Sequence, residues 1–97
     1  MRKTTEMIVV HCSATPPDMD IGAKEIDRWH RDRGWLGIGY HYVIRRNGEM
    51  EAGREPNDIG AHVRGHNHNS VGICLIGGVD GDMNPEDNFN PEQIDEL

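Results

Sequence analysis

Met7-Ile8-Val9-Val10-His11-Cys12-Ser13 sets four apolar residues in front of an imidazole, a thiol and a hydroxyl. Apolar residues on both faces predict a fully buried strand, and in sheets with parallel strands function gathers at the C-terminal strand ends. A neutral imidazole at such an end is a natural zinc donor. The next stretch, Ala14-Thr15-Pro16-Pro17-Asp18, is a loop, because paired prolines stop strand and helix alike. Gly22 to Arg33 then reads as a helix, with Ile26, Trp29 and His30 on one face. Gly34 ends it, after which Trp35-Leu36 is expected to fold back onto the core.

Tyr40-His41-Tyr42-Val43-Ile44-Arg45-Arg46 is rich in β formers, and Asn47-Gly48 after it is a strong hairpin signal, with Glu49 to Gly53 as the return strand. Strict alternation puts Tyr40, Tyr42 and Ile44 on one face and His41 and Val43 on the other. Periodicity is lost from Arg54 to Ser70, a loop rich in His and Asn. Val71-Gly72-Ile73-Cys74-Leu75-Ile76 is a second buried strand, followed by an acidic loop from Asp80 to Asn88. Asn90-Pro91-Glu92-Gln93 carries the marks of a helix start: Asn as cap, Pro at the first turn and Gln three residues on. The order strand, helix, hairpin, long loop, strand, helix predicts a single α/β domain over residues 1–97. Its expected core is a mixed sheet of about four strands flanked by helices. The last helix has barely two turns before Leu97, so the domain is expected to be shortened at its C-terminal end.

Charge narrows the partners. Residues 1–79 hold ten acidic and ten basic side chains, so the whole net charge of −7 sits in residues 80–97. A neutral body with an acidic end lacks the basic footprint that nucleic acid requires. The apolar runs are too short for a signal-peptide core or a membrane span, which predicts cytoplasmic synthesis and no membrane insertion. Cys12 and Cys74 are expected to be reduced core thiols, and Trp29 and Trp35 core aromatics.

Six histidines are many for 97 residues, and His62, His66 and His68 share one loop. A structural imidazole is the default for any one of them, yet binding residues favour loops carried on a scaffold. The spacing His66-Asn67-His68 does not match a standard zinc motif. Asp80-Gly81-Asp82-Met83-Asn84 begins like a calcium loop, but Pro85 stands where glycine is needed and Pro91 where a bidentate Glu is needed. His11 and Cys12 do not form a base and nucleophile pair, because neighbouring strand residues point to opposite faces.

Several segments together carry a family likeness: His11-Cys12-Ser13-Ala14-Thr15, Ile26-Asp27-Arg28-Trp29-His30, Gly34-Trp35, Gly39-Tyr40-His41-Tyr42-Val43-Ile44, Glu51-Ala52-Gly53-Arg54 and Asn67-His68-Asn69-Ser70-Val71-Gly72-Ile73-Cys74-Leu75-Ile76-Gly77-Gly78. In this order and spacing the chain resembles the zinc-dependent N-acetylmuramoyl-L-alanine amidases, a family that takes in short phage lysozymes and the peptidoglycan recognition proteins. The resemblance implies a peptidoglycan hydrolase that cuts between N-acetylmuramic acid and L-alanine with a zinc-activated water, acting on the cell wall after release from the cell. It implies His11 as the first zinc ligand and Tyr40 as the catalytic tyrosine that polarises the carbonyl. It also implies His62 as a residue of the substrate groove, with Arg64 and Asn67 as further contacts to the muropeptide. The family's remaining zinc ligands come from a C-terminal segment and are expected beyond Leu97, so the 97-residue chain is expected to be weak or inactive. A non-catalytic muropeptide-binding module, or a remnant of the amidase fold, is the alternative. Self-association through the face left open by the missing part is a further expectation.

Overall fold

In a computed structural model of the chain, residues 5–35 and 37–97 are described, and six regular elements organise them. They are β1 (Met7–Cys12), α1 (Ala23–Asp32), β2 (Tyr42–Ile44), β3 (Met50–Ala52), β4 (Ser70–Leu75) and α2 (Pro91–Glu96), with one 3-10 turn at Asn67–Asn69. The strands form one mixed sheet, as the element order predicts, and their order in it is β1-β4-β2-β3. β4 pairs in parallel with β1 on one side and with β2 on the other, while β3 returns antiparallel to β2. The return passes through Asn47-Gly48, where the Gly48 amide donates to the Arg45 carbonyl at 2.9 Å.

The parallel register sets His11 beside Cys74, and Cys74 beside Val43. Paired residues in neighbouring strands share a face, so these three side chains form a row on the side that α1 covers. There Ile21, Ile26, Ile38, Val43, Cys74 and Ile76 form a buried cluster with Tyr40 packed against it. α1 ends as its sequence predicts: Arg33 caps it and Gly34 takes φ +92°, a left-handed conformation that disfavours a side chain.

The opposite face holds Ile44, Ile73 and Leu75, with Tyr42, Val71 and Phe89 against them. α2 closes the end of this layer through Gln93, which is fully buried. The Gln93 Nε2 donates to the Ile76 carbonyl at 2.8 Å, and its Oε1 accepts from Arg46 at 3.0 Å. One amide side chain thus satisfies a carbonyl just past β4 that has no strand partner. The predicted capping box is present: Asn90 Oδ1 accepts from the Gln93 amide at 3.0 Å, and the Asn90 amide donates back to Gln93 Oε1 at 3.2 Å.

Four expectations are corrected. β1 is not a buried strand. It is the sheet edge, with Ile8 65% and Val10 48% exposed, because no described element covers its second face. Cys12 lies on that open face and is exposed, whereas Cys74 is buried as expected. Trp29 and Trp35 are exposed rather than core: Ile26 and His30 hold the inner stripe of α1, and Trp35 lies against His30 at the rim. Tyr40 does not share a face with Tyr42 and Ile44. Extended pairing starts only at Tyr42, so alternation does not reach back to residue 40, and the ring packs against the cluster that contains Val43 and Cys74. The expectation for Leu36 lies outside the described residues.

Candidate active site

Three residues far apart in sequence meet at the C-terminal end of β1. The His11 and Tyr40 rings lie 5.2 Å apart between centroids, His11 and His62 5.1 Å, and Tyr40 and His62 6.5 Å. His11 is placed by β1, and Tyr40 by the irregular segment leading into β2. His62 is placed by the long loop, where Asn67 Oδ1 accepts from both the His62 and Val63 amides at 2.9 Å. Asn67, expected to touch substrate, thus has its oxygen engaged in bracing the loop.

The electrostatics follow from burial. Desolvation holds His11 below an ordinary histidine and lowers His62 further, to about 4, with the neighbouring His11 and His41 rings adding to the effect. Both rings are therefore neutral near pH 7. Burial raises the Tyr40 phenol to about 12, with the Cys74 and Cys12 thiols contributing, so its proton stays in place. Burial likewise pushes the Cys74 thiol up to about 12, which makes it a poor source of thiolate.

Beside these residues opens a cleft of about 420 Å³, lined by Tyr40, His62, Arg64 and Asn67 together with His30 and Trp35. Four of the five residues expected at the site therefore face this one cavity, and the fifth, His11, touches two of them. The Tyr40 phenol is hydrogen-bonded with the Cys74 thiol in this structure, and within the cleft the exposed Arg64 can meet an anion. A larger cleft of about 610 Å³ lies elsewhere, between Asp27, Arg31, Arg54 and Asp58. Its charges are internally engaged, Asp27 with Arg31 at 2.7 Å and Arg54 with the Ile59 carbonyl at 2.7 Å, and it holds no imidazole.

His30 and His41 are the site residues that sequence reading passed over. His30 is buried, accepts from the Gly39 amide at 2.9 Å through Nδ1, and lies between the Trp35 and Tyr40 rings. Its i+4 spacing from Ile26 was the available signal. His41 is fully buried, its Nε2 donating to the Asp58 carbonyl at 2.7 Å and its Nδ1 accepting from the Gly72 amide at 3.0 Å. Both nitrogens are committed, so His41 is a crosslink. His66 and His68 are exposed and stand apart from the convergence.

His11 suits zinc, being a neutral, half-buried imidazole whose only hydrogen bond among the described residues uses Nε2. Among the described residues, no three His, Cys, Asp or Glu side chains gather into a metal-holding group.

The mixed sheet brings an imidazole and a phenol together at the end of its first strand. The N-acetylmuramoyl-L-alanine amidase family pattern matches residues 1–97, and the chain belongs to that family, whose members are generally zinc-dependent. The chain is 52% identical over 96 residues to an endolysin of Enterobacteria phage K11, covering 99% of this chain and 64% of that protein. Among solved structures it is similar to the endolysin amidase LysCS of Clostridium intestinale, with TM-score 0.81 and 34% identity over 96% of this chain and 56% of that one. It is also similar to a Drosophila PGRP-LB point variant solved in complex with tracheal cytotoxin, with TM-score 0.79 and 27% identity over 96% of this chain and 56% of that one. The chain spans less than two thirds of the length of these relatives.

Proposed function

We propose that this chain forms the larger part of a peptidoglycan hydrolase that cleaves the amide between N-acetylmuramic acid and L-alanine. The observation that carries the reading is the meeting of His11, Tyr40 and His62 beside a cleft lined by Arg64 and Asn67. A muropeptide is both sugar and anionic peptide, and the cleft offers an aromatic ring, a guanidinium and an amide. The family likeness and the muropeptide ligand of PGRP-LB support the same substrate class.

His11 would hold zinc, with further donors from outside these 97 residues. When bound, zinc supplies Lewis acidity toward a carbonyl and acidifies water. Tyr40 keeps its proton through neutral pH and donates a hydrogen bond to the amide oxygen as negative charge grows there. Its half-buried position beside His11 shields that bond from water, which strengthens it. His62 and Arg64 line the groove, where His62 offers its ring face and Arg64 its guanidinium to the stem peptide. The place of work is the cell wall, reached after cytoplasmic synthesis. Among the described residues no helix is long and apolar enough to cross a membrane.

The test is release of stem peptides from purified cell wall, with and without chelator, by the 97-residue chain and by the longest protein that carries it. Chelator and His11→Ala are each expected to abolish release by the longer protein, and the 97-residue chain is expected to show little. Release that survives both treatments would remove His11 and zinc from the reaction. A second reading is a muropeptide-binding module without cleavage. It predicts binding of soluble muropeptide by the longer protein with no release at any zinc concentration.

A further inference from the structure

The hydrogen bonds around His62 run in one direction, and that direction fixes which nitrogen of His11 is free. Ser70 Oγ lies 2.7 Å from the His66 carbonyl oxygen. A carbonyl has no proton to give, so the Ser70 hydroxyl donates there. The same Oγ lies 3.2 Å from His62 Nε2. With the hydroxyl proton already committed, the proton between them belongs to His62, which is therefore the Nε2–H tautomer with its lone pair on Nδ1. That Nδ1 lies 2.9 Å from His11 Nε2. A lone pair accepts, so His11 donates through Nε2 and carries its own lone pair on Nδ1. His11 makes no other side-chain hydrogen bond among the described residues.

We propose that His62 is the positioning residue of the zinc ligand: by accepting the His11 Nε2 proton it fixes that ring's tautomer and leaves His11 Nδ1 as the atom that meets the metal. Ser70 and the His66 carbonyl fix His62 in turn, so the relay runs from the end of β1 to the loop before β4. Histidine ligands bind metal through one nitrogen while the other donates to a nearby acceptor, which sets tautomer, ring orientation and basicity. Here the acceptor is a second imidazole rather than a carboxylate or carbonyl. A neutral acceptor leaves the ligand less basic than a carboxylate would. Gly72 makes the arrangement possible, because a Cβ there would lie 2.7 Å from two atoms of the His62 ring.

This inference rests on the amidase reading for its metal, and the experiment separates the two. Long-range 1H–15N spectra of the labelled, metal-free chain at neutral pH report the tautomer of each histidine directly. The expected result is a protonated Nε2 and a bare Nδ1 on His11 and on His62, with His62→Ala returning His11 to a mixture and Ser70→Ala doing the same to His62. On adding excess zinc, the His11 Nδ1 resonance is expected to move while the Nε2 proton stays. The zinc affinity of His62→Ala is expected to fall by about 10- to 100-fold. A protonated His11 Nδ1 in the unaltered chain overturns the proposal, and so does zinc on Nε2 or an unchanged affinity in the variant. If the tautomers and the zinc contact are as stated but the longer protein releases no stem peptide, the amidase reading fails and the assignment stands.

Discussion

His11 Nε2 lies 2.9 Å from His62 Nδ1 across 51 residues of chain. The contact ties the end of β1 to the loop before β4, and it forms over Gly72, whose missing side chain leaves room for the ring. Gly72→Ala is therefore expected to keep the sheet but displace His62. The spectral signature of the His11–His62 bond should vanish while the β4 amides stay protected from hydrogen exchange. Retention of that bond in the variant would show that the loop, and not the glycine, seats the ring.

Tyr40→Phe removes one hydroxyl from a ring held by packing against the core cluster under α1 and against His30. In the longer protein the fold is expected to survive, while stem-peptide release falls by about 10²- to 10³-fold in kcat, the usual loss for one oxyanion donor. A variant with full turnover would take the phenol out of the reaction.

Acid destabilises this fold through its buried imidazoles. His62 is lowered from 6.5 to about 4 by burial, and His30 is lowered in the same direction. Between those pH values the unfolded chain binds protons that the folded chain refuses. Stability is therefore complete above about 6.5 and declines as pH falls toward 4. Urea midpoints measured across this range should drop with acidity, and His62→Gln should flatten the curve.

Gln93 is fully buried and bonded to the Ile76 carbonyl, Arg46 and the Asn90 amide. Gln93→Ala is expected to destabilise the chain by about 2 kcal/mol, since a buried carbonyl loses its donor and the α2 cap loses its second half. Chemical denaturation measures it directly. A change below about 0.5 kcal/mol would mean that water replaces the amide without penalty.

The open face of β1 carries Ile8 and Val10 on an edge strand. An exposed apolar edge of this kind pairs readily with another strand. The 97-residue chain is expected to self-associate as its concentration rises, and Ile8→Lys with Val10→Lys to abolish this in sedimentation velocity. A single monomer species at every concentration would show the face to be tolerated by itself.

Sequence patterns located the elements whose causes are local. The Asn90-Pro91-Gln93 cap, the Asn47-Gly48 turn and Gly34 after α1 all act within a few residues, and each stands where it was expected. The family motifs pointed to His11, Tyr40 and His62, and four of the five expected residues line one cleft. The burial of β1 was misjudged because an apolar strand reads the same at a sheet centre and at an edge. Only neighbours decide the difference.

The mixed sheet, its two helices and the imidazole at the end of the first strand follow from residue order and local pattern. Only the folded arrangement places Tyr40 beside His11, makes His41 a crosslink with both nitrogens engaged, and brings His62 Nδ1 within 2.9 Å of His11 Nε2. Turns and caps are set by backbone torsions of adjacent residues, which the local sequence states. Ring orientation and proton position are set by partners brought in from distant segments, and they exist only once the chain has closed on itself.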